Sequence, residues 1–179
     1  MTSRTGRLRA TLLVGIAVLA TAACAPALDW REVRPEASDV QALMPCRPQH
    51  AERRVPLAGQ AVKMHLESCS AGGLTWGLAY ADLGDPARVG NGLAALQASA
   101  AGNIGAPPVE PERQAVPGST PQPRSGRSVL QGRSPEGKPV QMHVLVFARG
   151  TTVFQASAVG EAVSAEAAQT FFSSVRFPS

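Results

Sequence analysis

Thiol and imidazole side chains stand in mirror order in the first half of the chain: Cys46 and His50 are four residues apart, and so are His65 and Cys69. If the chain reverses near Leu57-Ala58 with matching register, Cys46 falls opposite Cys69 and His50 opposite His65. All four then share a face, because strand residues two and four apart point the same way. Thiolate and imidazole together suit a tetrahedral zinc ion, so a Cys2His2 site is one reading. A disulfide between Cys46 and Cys69, with two ordinary surface histidines, is the reading an oxidising compartment favours. Two unpaired thiols are the third. The symmetry rests on register, and a slip of one residue would undo it.

Other constellations are weaker. Gly90-Asn91-Gly92-Leu93-Ala94-Ala95 fits a relaxed GxGxxA nucleotide fingerprint, but that fingerprint needs its glycines directly after a parallel strand, with the helix N-terminus at the pyrophosphate. Gly90 comes seven positions after Leu83, and no βαβ unit follows. Asp82 and Asp85 could pair with His65 or His143 for acid–base work, yet Asp85 followed by Pro86 reads more simply as a helix cap. Trp76 and Tyr80, four apart, could stack on a ligand, although an aromatic stripe at strand spacing is more often core. No GxSxG elbow, HExxH pair or Ser-x-x-Lys pattern occurs, so no catalytic residue, resident metal or cofactor is expected.

The third cysteine, Cys24, closes a different pattern. Arg4, Arg7 and Arg9 give a positive start, Leu12 to Leu19 an apolar run, and Thr21-Ala22-Ala23 a small-residue stretch before the thiol, the order of an export signal. This resembles the lipobox of bacterial lipoproteins, with Thr21 in place of the usual aliphatic residue. The resemblance implies removal of residues 1–23, diacylglycerol on Cys24 and acylation of the new amino terminus. An ordinary signal-peptidase site at Ala20-Thr21-Ala22 and a retained membrane helix are the alternatives. Cysteine parity favours lipidation, since three cysteines leave one odd unless Cys24 is modified. Ala25 is not the Asp that, in enteric lipoproteins, retains the protein in the inner membrane. The resemblance therefore points to an outer membrane and a periplasm-facing domain.

Composition narrows the partners. Three of the 17 Lys and Arg lie in residues 1–23, which leaves 14 against 13 acidic residues, a net of +1. So small a charge provides no footprint for nucleic acid. The cluster Arg124, Arg127 and Arg133 reads as a solvated face. The expected partners are the membrane, through the N-terminal lipid, and an envelope protein.

The elements that must position these groups follow from periodicity. Residues 24–29 form a short tether, and residues 30–179 are long enough for one domain. Trp30 to Val33 and Asp39 to Met44 are predicted strands about a Pro35–Ser38 turn. Val62, Met64 and Leu66 alternate with Lys63, His65 and Glu67, the pattern of a half-buried strand. Across Ala71-Gly72-Gly73, Leu74 to Leu83 forms its hairpin partner, with Leu74, Trp76, Leu78 and Tyr80 on one face. Asp85 and Pro86 open a helix through Val89, Leu93, Leu96 and Ala100, to about Ala101. Six prolines between Gly105 and Ser125 predict a long surface loop, the expected contact surface for a partner; the sheet face carrying His65 and Glu67 is the alternative. Ser128–Arg133, Lys138–Ala148 and Thr151–Val159 are predicted as a meander, with both faces of the middle strand covered. Ser164 caps a final helix through Ala165, Ala168, Phe171 and Phe172, and these aromatics, with Val175 and Phe177, pack in the core.

The opening run Leu43-Met44-Pro45-Cys46-Arg47-Pro48, the strand Val62-Lys63-Met64-His65 and Trp76-Gly77-Leu78-Ala79-Tyr80-Ala81-Asp82 carry a second likeness. So does the ending, Phe147 to Gln155 followed by Ala168 to Phe177. Over about Trp30 to Phe177 the chain resembles uncharacterised bacterial envelope proteins of PsbP-like type. The resemblance implies an α+β domain: an antiparallel sheet packed with two helices in an α/β/α sandwich, used for accessory and binding roles, with no catalytic residue transferred. The expected function is a lipid-anchored, non-catalytic binding or assembly accessory. A small envelope hydrolase and a metal-binding lipoprotein are the alternatives.

Overall fold

The computed structural model describes residues 28–178. The signal segment 1–23, Cys24 and the first part of the tether lie outside the described residues. The fold takes hold of the chain at once: the Asp29 amide donates to the Pro45 carbonyl at 2.8 Å, and Trp30 meets Trp76 edge to face at 5.8 Å.

Strands β1 (Arg31–Val33) and β2 (Ala42–Met44) pair antiparallel about the expected turn. Six further strands form one antiparallel sheet: β3 (Gln49–Leu57), β4 (Gln60–Ala71), β5 (Leu74–Asp82), β6 (Gly126–Arg133), β7 (Pro139–Arg149) and β8 (Thr152–Gly160). Their order is β3-β4-β5-β8-β7-β6. With helices α1 (Val89–Asn103) and α2 (Ala165–Ser174) this is the expected α+β class, an antiparallel sheet packed with two helices in a single domain.

Each face of the sheet has its own core. On one, Trp76, Leu78, Tyr80, Phe147 and Phe154 pack against Phe171 and Phe172 of α2 and against Val40, Ala42 and Met44 around β2. On the other, Val62, Val144, Val146 and Val153 pack against Val89, Leu93 and Leu96 of α1. Strand β7 lies between both cores, which explains why its sequence is apolar on both faces. Asp85 caps the start of the helical segment through the Ala87 amide, with Pro86 first in a 3-10 turn that runs into α1. Gly92 is set by packing: a Cβ there would stand 2.7 Å from Leu83 Cδ1 and 3.3 Å from Val153 Cγ1. Of the glycines in the GxGxxA run, Gly92 thus serves close helix–sheet approach while Gly90 faces open space, and the strand before them is antiparallel.

Two expectations need correction. The β3–β4 register places His50 opposite Glu67 and Glu52 opposite His65, two residues away from the mirror arrangement. The reversal falls on Ala58 and Gly59, with φ of +50° and +77°, because Gly59 supplies the left-handed turn that a two-residue hairpin demands. Arg127 is not a solvated cation, for its guanidinium lies 4.4 Å over the Phe172 ring and donates to His143 Nδ1 at 2.9 Å. The Pro-rich stretch runs over the surface but is tied down: Glu112 bridges Arg127, Thr120 bridges Ala148, and Pro117 accepts from the Phe177 amide at 3.0 Å. Val116 from its middle is 4% exposed, inside the α2-side core.

Candidate functional site

Because β3 and β4 cross in the observed register, four polar residues form a two-by-two block on one sheet face. His50 and Glu52 stand two apart on β3, and His65 and Glu67 two apart on β4, each histidine opposite a glutamate. The two-residue slip preserves parity, so both histidines remain on one face as expected and their rings lie 5.8 Å apart. Cys46 does not join the ladder. It precedes β3 and bonds Cys69 from the end of the β2 segment, as a disulfide with a Cα–Cα distance of 6.0 Å. The expected Cys46–Cys69 bond is therefore present, and it removes both sulfurs from any Cys2His2 site.

The block has a defined hydrogen-bond direction. His50 Nδ1 meets Glu67 Oε1 at 2.7 Å, and its Nε2 points toward Glu52 Oε1 at 3.6 Å. His65 Nδ1 lies 3.1 Å from the same Glu52 oxygen but is buried and has no hydrogen bond of adequate geometry. The other Glu52 oxygen pairs with Lys63 Nζ at 3.1 Å. Glu67 is only 7% exposed, and its carboxylate is spent on His50. That bond, together with the charges of Glu67 and Glu52, raises the His50 pKa above its usual value, while Lys63 first among its neighbours lowers that of Glu52.

Tyr80, the cross-strand partner of His65 on β5, flanks the block. Its ring stacks on His65 at 4.9 Å and 6°, and among the described residues its buried hydroxyl has no partner of adequate hydrogen-bond geometry. Burial first, then the charges of Glu67 and Glu52, push the phenol up to about 12. The β1–β2 turn, Val33 to Ala37, forms the opposite wall of a cleft of about 360 Å³ over the block. Trp76, the other aromatic considered as a ligand platform, is fully buried core.

The imagined acid–base pairing is not assembled. Asp82 accepts from the Thr151 hydroxyl at 2.6 Å and the Gly84 amide at 2.9 Å, and Asp85 caps the turn before α1. His143 sits against Arg127 and Phe172. Glu52 was missing from the sequence reading. Its signal was present, since it lies two residues from His50 and shares a strand face with it, but only the register brings it to His65.

No family model and no curated protein matches the chain. A crystal structure from Bacteroides thetaiotaomicron VPI-5482 superposes on 83% of this chain with a TM-score of 0.46 and 9% sequence identity. This chain covers 48% of that protein, about half its length, and the likeness carries no argument about function.

Proposed function

We propose that the protein is a lipid-anchored lipoprotein of the bacterial envelope, held through Cys24 in the outer membrane and facing the periplasm, where it acts without catalysis as a binding or assembly accessory. The observation that supports this best is cysteine parity. The chain has three cysteines, Cys46 and Cys69 are bonded to each other, and Cys24 alone is left at the end of an export-type signal. A disulfide in the domain accords with an oxidising compartment. Among the described residues no helix is long and apolar enough to cross a membrane; the attachment in this reading is the lipid on Cys24.

The reach of the anchor is short. Cys24 and Leu28 are four residues apart, and an extended chain spans at most about 3.6 Å per residue, roughly 14 Å in all. A domain so close to the headgroups suits an accessory that meets envelope proteins at the membrane surface. The near-neutral charge after residue 23 gives no reason to expect nucleic acid.

Cys24→Ser tests the reading. Each buried methylene of an acyl chain contributes about 0.8 kcal/mol to membrane binding, so wild type should partition into the detergent phase and the variant into the aqueous phase. Mass spectrometry of the mature amino terminus should show acylation in wild type alone. Unchanged partitioning, with no lipid mass on wild type, would overturn the anchor; crosslinking in intact cells that captures no defined envelope protein would overturn the accessory role.

A further inference from the structure

We propose that His50, Glu52 and His65 bind one divalent transition-metal ion of the zinc type, with Glu67 orienting His50. Three observations carry this. The donor atoms of His50, Glu52 and His65 all lie within 4.8 Å of one another. Bonds of about 2.0–2.1 Å in a tetrahedral site place neighbouring ligand atoms roughly 3.3 Å apart, and the contacts here are 3.6 Å from His50 Nε2 to Glu52 and 3.1 Å from His65 Nδ1 to Glu52. Little movement is needed to close the set around an ion.

The second observation is the bond between Glu67 and His50. A metal-bound histidine usually gives its other ring nitrogen to a carboxylate, which fixes the tautomer and strengthens the ligand. Buried Glu67 does this at Nδ1, leaving Nε2 turned toward Glu52. Third, His65 Nδ1 is buried, lies 3.1 Å from the Glu52 oxygen and, among the described residues, has no hydrogen bond of adequate geometry. An unsatisfied buried nitrogen costs free energy that a metal bond would recover. Two imidazoles and one carboxylate are the donor set that zinc and its neighbours accept. Lys63, more than half exposed, can leave Glu52 when the ion enters.

Three protein ligands leave a fourth position open toward the cleft under the β1–β2 turn, where water or a ligand atom from a partner would complete the shell. The site does not depend on the lipid anchor or on the accessory role, so either proposal can fail without the other.

The test titrates zinc chloride into the tag-free, metal-free full chain in detergent, read by calorimetry. One zinc per chain is expected. His50→Ala should lose that binding, as should His65→Ala. Glu67→Gln should keep the stoichiometry but weaken binding about 10- to 100-fold. Circular dichroism checks that each variant is folded. Absence of one-to-one binding by wild type would overturn the site, and so would His50→Ala binding zinc as tightly as wild type.

Discussion

His143 and Arg127 show how one buried contact sets a protonation state. Arg127 has no acceptor to spare, so His143 Nδ1 must accept its hydrogen bond and the ring proton sits on Nε2. Burial first, and then the Arg127 charge, lowers the His143 pKa. In the unfolded chain the ring takes up a proton near its ordinary value, about 6.5, whereas in the folded chain it does so only at lower pH. The unfolded state therefore binds more protons in that window, and stability falls as pH drops below about 6.5. His50 has the opposite sign, its raised pKa favouring the folded state as pH falls, so the two histidines must be separated by substitution. His143→Gln keeps an acceptor for Arg127 without a titrating group. Its unfolding free energy should fall less than that of wild type between about pH 7.5 and 5.5 in chemical denaturation; equal losses would show that His143 carries none of the acid sensitivity.

At the scale of elements, the disulfide fastens the β1–β2 pair to the strands that carry the histidines. Cys46 follows β2, Cys69 lies near the end of β4, and the bond closes 23 residues of chain containing the whole β3–β4 hairpin turn. Constraint of an unfolded loop of that size contributes about 3 kcal/mol when the native geometry is unstrained. Cys46→Ser/Cys69→Ser together should lower the unfolding free energy by about that amount, and a reductant should lower the midpoint of wild type while leaving the double variant unchanged. Strand β3 also depends on this fastening, because it is one of the two sheet edges and, among the described residues, pairs only with β4. Its exposed Glu52, Arg53 and Arg54, together with Pro56, discourage edge pairing with another chain.

Across the whole molecule, the Pro-rich segment and the C-terminal tail close the α2-side core jointly. Pro117 accepts from the Phe177 amide, Thr120 pairs with Ala148, and Gly118 packs so closely that a Cβ would lie 2.9 Å from Phe177 Cβ. The left-handed φ of Gly118, +77°, adds a second reason for glycine at that point. Replacing residues 107–123 with a short Gly-Ser linker should therefore destabilise the domain by about 2–5 kcal/mol, on the scale of emptying a core position. The measurement is the denaturation midpoint, and a replacement as stable as wild type would reduce the segment to a spacer.

Periodicity and turn chemistry determined most of the elements. Two-residue alternation marked β4 and β5, Asp85-Pro86 and Ser164 marked the helix starts, and the doubly apolar β7 announced a sheet covered on both faces. These signals are local, and the residues that carry them are neighbours in sequence. The chemistry of an oxidising compartment likewise favours a Cys46–Cys69 disulfide over a metal site or free thiols, and the bond is present. Tertiary structure alone decided the register, because a shift of two residues keeps every side chain on its face and leaves the hydrophobic pattern unchanged. That shift replaced a four-ligand mirror of cysteines and histidines with the His50, Glu52, His65 and Glu67 block. The burial of Arg127 and the anchoring of the proline segment were hidden for a related reason: both depend on partners, Phe172, His143, Ala148 and Phe177, that only the folded chain brings near.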